Sequence, residues 1–390
     1  MIILRLAYRN LVGAGLRTWL NVGVLSFTYV LIIWHQGLFS GMYRQASRDV
    51  IKDEIAGGQY WFEKYDPYDA LSLEESHGII PSQLESLIQN KKAAPILIRQ
   101  GTIYPEGRVQ SVLIKGIDPD QTVLDIPTHK LTGDPITLPV MVGKLMAKKN
   151  SFQIGDYVTI RWRDANGTFD AADGEIVQIM NTNVPTMDMG QLWVPLKNLQ
   201  EMSILKNEAT IIVVGQESKS HGDLPGWLFK GHDFLLKDIT DMVRSKRVGG
   251  AVIYVVLLFL AMLAIFDTQV LSIFRRRKEI GTLMALGMVR TRVIVLFTLE
   301  GTLHGILAIA IAAIYGIPIL IYTANKGIPM PNTAEEYGIA LSTRLFPFYS
   351  AWLVGGTVLL VVLTVLIVSY LPSRKISGLK PTEALKGKLS

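Results

Sequence analysis

The chain has 390 residues, no cysteine and a formal net charge of +6, with a mean hydropathy of +0.31. At 49% hydrophobic it is too apolar for an average soluble protein, while its 18% of charged residues is more than a bundle of membrane spans holds by itself, so a membrane part joined to a soluble part is expected. The missing cysteine excludes a disulfide framework, and His35, His77, His129, His221, His232 and His304 form no ligand-spaced cluster, so no metal site is expected. Segments 1–17, 275–292 and 372–390 hold 14 of the 39 Lys/Arg but only two acids, Glu279 and Glu383. Basic charge beside apolar runs reports membrane topology; it does not indicate nucleic-acid binding.

In chain order, residues 1–17 combine Ile2, Ile3, Leu6 and Leu11 with Arg5, Arg9 and Arg17, which predicts a cytoplasmic interfacial helix. Residues 18–39 form the first span, long enough to cross the hydrocarbon and without a small-residue cleavage site, hence an uncleaved signal anchor. Asn21, Thr28 and His35 recur every seven residues on one face of it; they either pack against neighbouring helices or line a substrate path together with Ile32. Residues 40–247 read as an extracytoplasmic α+β domain, whole or in two subdomains, with helical stalks at Ser40–Ile55 and Asp238–Lys246. Strands are expected at Gln59–Tyr65, Ile96–Tyr104, Val109–Lys115, Tyr157–Arg163, Glu175–Met180 and Thr210–Val214, and helices at Pro81–Gln89, Pro139–Lys149 and Pro195–Ser203.

The second span, 248–274, carries Val256, Leu260 and Leu263 on an apolar face, and Asp267 near its cytoplasmic end, where it reaches the interface or Arg275. Residues 275–292 are cytoplasmic. A third span at 293–322 places Glu300 and His304 near the inner headgroups, followed by an outer loop at 323–347, a fourth span at 348–371 and a basic cytoplasmic tail at 372–390. The expected fold class is therefore an α-helical membrane protein with four transmembrane helices and an α+β extracytoplasmic domain inserted between helices one and two.

The cytoplasmic stretch is the most informative. Ile280, Leu283, Met284 and Gly287 fall on one face of a two-turn helix, with Glu279 at its N-terminus and Gly287 suited to its stop. A helix this short needs a docking surface; the alternative is an ordinary topogenic loop. The chain has no phosphate loop, no His-Glu-x-x-His pair and no Gly-x-Ser-x-Gly elbow, so it is not expected to be an enzyme or to bind a cofactor of its own.

The stretch Arg277-x-Glu279-Ile280-Gly281-x-x-x-Ala285-Leu286-Gly287, with Glu300 in the next helix, resembles the signature of FtsX-like ABC permeases, the type VII ABC superfamily that includes lipoprotein-releasing and macrolide-exporter permeases. Leu6-Ala7-x-Arg9-Asn10-Leu11, Arg17-Thr18-x-Leu20, Ile114–Pro119, Val142-Gly143-x-Leu145-Met146-Ala147 with Gly155-Asp156-x-Val158, and Pro381–Leu385 resemble other parts of that family. The resemblance implies that Arg277, Glu279, Ile280, Gly281, Leu283, Met284, Ala285 and Gly287 form a coupling helix against a separate ABC ATPase. Two ATPase copies, carrying ATP and Mg, would serve a dimer with a second permease chain, identical or homologous, in a bacterial inner membrane. It implies mechanotransmission to the outer domain, with release of lipoprotein or other lipid-anchored cargo favoured by Ile114–Pro119 and by an ATPase on a separate chain. The alternatives are efflux with a periplasmic adaptor and non-transporting control of a cell-wall hydrolase. Acyl cargo would enter laterally past Asn21, Thr28, Ile32 and His35 of span one and Val256 and Leu260 of span two.

Overall fold

A computed structural model of the protein describes residues 16–132, 137–217, 222–330 and 344–375. The expected interfacial helix up to residue 15 and the tail from residue 376 lie outside the described residues. The chain divides into a helical unit, with described residues before 43, at 242–328 and after 344, and a mainly β unit built from Tyr43–Asp241.

The elements run α1 (Leu16–Val50), which continues through a π-helical turn at Ile51–Ile55, then β1 (Gly58–Phe62), β2 (Gly78–Ile79), α2 (Ser82–Gln89), β3 (Ala93–Ile103), β4 (Gln110–Ile117) and β5 (Leu138–Gly143). They continue with α3 (Lys144–Lys149), β6 (Tyr157–Arg163), β7 (Phe169–Met180), α4 (Pro185–Asp188), β8 (Gln191–Pro195), α5 (Leu196–Ser203), β9 (Glu208–Ala209), β10 (Ile211–Val214), β11 (Trp227–Lys230) and α6 (His232–Leu235). The last group is α7 (Lys237–Arg275), α8 (Arg277–Ala285), α9 (Arg290–Lys326), β12 (Ile328–Pro329), β13 (Arg344–Leu345) and α10 (Ala351–Arg374).

In the β unit one nine-stranded sheet runs β11-β1-β10-β3-β4-β8-β5-β7-β6. Its last strand returns to β3, where Gly101 faces Trp162 and Ile103 faces Ile160, so six strands close on themselves and lose their free edges. The period-2 alternation of strands fills both faces. Leu97, Val140, Val142, Val158, Ile160, Trp162, Leu192 and Val194 share one core. Their neighbours Ile96, Ile98, Met141 and Trp193 belong to a second. Strands β2 and β9 pair separately as a small two-stranded sheet.

One helix expectation is overturned. Pro139–Gly143 belongs to strand β5, parallel to β7 and buried at every position, and only Lys144–Lys149 is helical. A strand covered on both faces reads as a continuous apolar run, from which a helix cannot be told by period. Strands β8 and β11 were not anticipated, and β7 begins six residues earlier than expected.

In the helical unit α1, α7, α9 and α10 are long and apolar enough to cross a membrane. Helix α7 has 39 residues and α9 has 37, well beyond the roughly 20 a bilayer requires. Val22, Leu25 and Tyr29 of α1 pack with Ala261 and Ile265 of α7, Ala308 and Ala312 of α9, and Val361 and Val365 of α10. The opposite faces are apolar too: Val252, Val256, Phe259 and Leu260 of α7 and Leu359, Leu360 and Leu363 of α10 are exposed, the pattern of helices whose outer solvent is lipid. Gly301 permits close packing of α9, because a Cβ there would overlap Ser369 Oγ and sit 2.8 Å from Gln269 Nε2.

Candidate functional site: the helix between α7 and α9

Helix α8 is bounded by specific local chemistry. Its C-terminus is a Schellman stop: Met288 N–H donates to Leu283 O at 3.0 Å and Gly287 N–H donates to Met284 O at 3.1 Å, with Gly287 at φ +94°. At the other end, Arg276 breaks the helical path between α7 and α8 with φ −98° and ψ 17°.

Arg276 also holds the three helices together. Its Nε donates to Glu279 Oε2 at 2.7 Å, and its Nη1 donates to Glu300 Oε1 at 3.1 Å and Oε2 at 2.9 Å. The guanidinium lies 5.0 Å from the Phe297 ring centroid. Glu300 is buried on α9, so a charge that would be costly alone is matched by a guanidinium whose Nη1 meets both carboxylate oxygens. His304, one turn on, donates from Nδ1 to the Glu300 carbonyl at 2.9 Å. Of the two placements expected for Asp267, an ion pair with Arg275 is not formed and the side chain is exposed, as the interface placement allows; the pairing that ties the loop to a span is Arg276–Glu300.

The apolar face of α8 points inward. Ile280 is fully buried with Ile273, Val293 and Phe297, and Met284 and Met288 pack against that cluster. Gly281 is buried, and Arg277 lies over the Phe274 ring at 4.4 Å. Of the residues expected on the docking face, Ile280 and Gly281 are covered by the chain's own helices, and Leu283 and Met284 are partly accessible. The free face carries Lys278, Glu279, Thr282, Ala285 and Gly287, together with Leu286, 80% exposed, and Val289, 60% exposed. Leu286 and Val289 were not singled out from the sequence, because periodicity finds the apolar stripe a helix keeps for itself.

The expected substrate-lining residues separate into two groups. Asn21, Thr28 and Ile32 are buried within the unit. Asn21 Nδ2 donates to Thr268 Oγ1 at 2.6 Å, and Thr28 Oγ1 donates to Val24 O at 2.9 Å. His35 Nδ1 and the Tyr254 hydroxyl are hydrogen-bonded at 2.7 Å. Asn21 and His35 are thereby tied to α7, while Thr28 bonds within α1, as polar groups in lipid find partners on their own or neighbouring helices. Val256 and Leu260 face outward.

Residues 251–381, which contain α8, match the FtsX-like permease C-terminal family. Residues 251–381 carry an FtsX-like permease C-terminal domain. No curated protein matches it in sequence. Among solved structures, the extracellular domain of the noncanonic ABC-type transporter YknZ from Gram-positive bacteria is similar at 16% identity and a TM-score of 0.26, covering 41% of this chain and 83% of that one. Within that matched region lie the Arg276–Glu300 pair, the Schellman stop at Gly287 and the exposed Leu286 and Val289.

Proposed function

We propose that this permease receives the stroke of a separate ABC ATPase on the free face of α8 and passes it through Arg276 and Glu300 into α7 and α9. The observation that carries this reading is the fastening of the start of α8 to α9 by one guanidinium that bonds both Glu279 and Glu300. A helix fastened in this way moves its neighbours when it is pushed, whereas a topogenic loop needs no such fastening. Two ATPase copies carrying ATP and Mg would act on a dimer of permease chains in a bacterial inner membrane, with both termini cytoplasmic and the β unit on the outer side.

For cargo we favour a lipoprotein or another lipid-anchored molecule. Acyl chains keep out of water at about 0.8 kcal/mol per CH₂ and need lateral contact with an apolar surface, which the outward face of α7 at Val252, Val256, Phe259 and Leu260 offers. Efflux with an adaptor and control of a cell-wall hydrolase are the competing outcomes. The test is copurification of the detergent-extracted complex from cells: an ATPase with acylated peptides supports the reading. An ATPase with only an adaptor or a hydrolase removes the cargo assignment, and retention of full transport by Leu286→Asp removes the role of α8.

A further inference from the structure

The β unit contains a cavity of about 400 Å³ lined by residues that include Glu54, Tyr65, Leu73, Val112, Lys115 and Gln191. That size lies within the roughly 300–1,000 Å³ of small-ligand sites. Its polar floor is set by the register of β4 against β8, which pairs Leu113 with Gln191 and Lys115 with Trp193 in parallel, so all four side chains leave the same face of the sheet.

Two groups on that floor are under-satisfied. Lys115 is 4% exposed; its ammonium has one long hydrogen bond, to Glu54 Oε1 at 3.4 Å, and lies 5.0 Å from the Trp193 ring centroid. An ammonium has three N–H donors and usually fills them when buried. Gln191 is 5% exposed, and its Oε1 has no hydrogen-bond donor. Two residues lining one cavity thus hold spare N–H donors and a spare carbonyl acceptor.

The charges narrow the ligand class. Lys115 and Glu54 form a pair of no net charge, so an anion attracted to the ammonium meets the carboxylate, and a cation meets the reverse. Burial, with help from Glu54 and Asp66, pushes the Tyr65 hydroxyl pKa up, which keeps it neutral. A neutral dipolar group with one acceptor and one N–H satisfies the site best, and the secondary amide has that form. Leu73, Val112 and Leu113 supply apolar wall beside it.

We propose that this cavity binds the main chain of a short apolar peptide segment, its carbonyl accepting from Lys115 and its N–H donating to Gln191. The assignment is independent of α8 and of the cargo reading. The test is saturation-transfer NMR of N-acetyl-Ala-Leu-Ala-amide against the full-length permease in nanodiscs, with acetate, methylammonium and inorganic phosphate as comparison probes. Saturable transfer to the peptide alone is expected. Ser111→Trp, at an exposed cavity-wall position, should abolish it, and Gln191→Leu should weaken it about fivefold, as loss of one neutral hydrogen bond would. No saturable transfer with the wild-type protein, equal transfer with both variants, or stronger binding of phosphate or either ion would overturn the proposal.

Discussion

Arg276 and Glu300 stand 24 positions apart in sequence and meet through two hydrogen bonds of 3.1 and 2.9 Å from one guanidinium nitrogen. The pair joins the start of α8 to the body of α9. Its Coulomb gain offsets the desolvation of two charges, so its net stabilisation is small, while loss of either partner strands the other.

That asymmetry gives the first prediction. Arg276→Met or Glu300→Leu alone should destabilise the helical unit by about 3–5 kcal/mol, and the double variant should recover most of it. Thermal unfolding of the detergent-purified protein measures this. Additive losses in the double variant would show that the two residues are not coupled.

The second prediction separates the two faces of α8. Ile280→Ala should cost about 2–5 kcal/mol, because the side chain is fully buried beside Phe297. Leu286→Asp and Val289→Asp should change stability by within about 0.5 kcal/mol yet weaken ATPase copurification roughly tenfold or more. Undiminished copurification with both aspartates would place the partner elsewhere.

Gly287 has its own expected effect. Its φ of +94° is strained for any β-branched residue, so Gly287→Val should cost roughly 1–3 kcal/mol and loosen the Schellman stop. Amide hydrogen exchange at Met288 should accelerate in the variant; unchanged protection would show that another backbone path closes the turn.

Much of this architecture is legible in the sequence, and the misses have physical causes. The bounds of β6 follow from the alternation of buried Val158, Ile160 and Trp162 with exposed Tyr157, Thr159, Arg161 and Arg163. Leu138–Gly143 offers no alternation because both its faces are covered, and its helical reading fails there. In α8 the spacing of Ile280 and Met284 correctly marks an apolar face, but spacing does not say whether the covering surface is the chain's own or a partner's. The same ambiguity applies to Asn21 and Thr28, which are buried within the helical unit. Arg276 was passed over in favour of Arg275, since the break that turns its side chain back toward Glu300 is tertiary.

Topology is tested by labelling, and the absence of native cysteine makes every introduced one unique. A cysteine at Asn166, exposed in the β unit, should react with an impermeant maleimide from outside the cytoplasm, and one at Thr282 should not. Labelling at Thr282 in intact cells would invert the assignment drawn from the basic segments.

The lipid-facing reading of α7 predicts that a photo-crosslinker at Leu260, 55% exposed, captures an acylated protein, and that one at Ile32, 3% exposed, captures only permease. Exclusive self-crosslinking from Leu260, with and without nucleotide, would count against lateral entry.

The claim that motion passes through Arg276 and Glu300 is tested most directly by a distance between protomers. A spin label on Leu71→Cys, at a position 87% exposed in the β unit, is measured against its copy in the ATPase-bound dimer, nucleotide-free and with ATP trapped. The account predicts a shift of the distance distribution on trapping in the otherwise wild-type protein, and no shift in the Arg276→Met/Glu300→Leu double variant, although that variant folds and binds the ATPase. An equal shift in the double variant would contradict it.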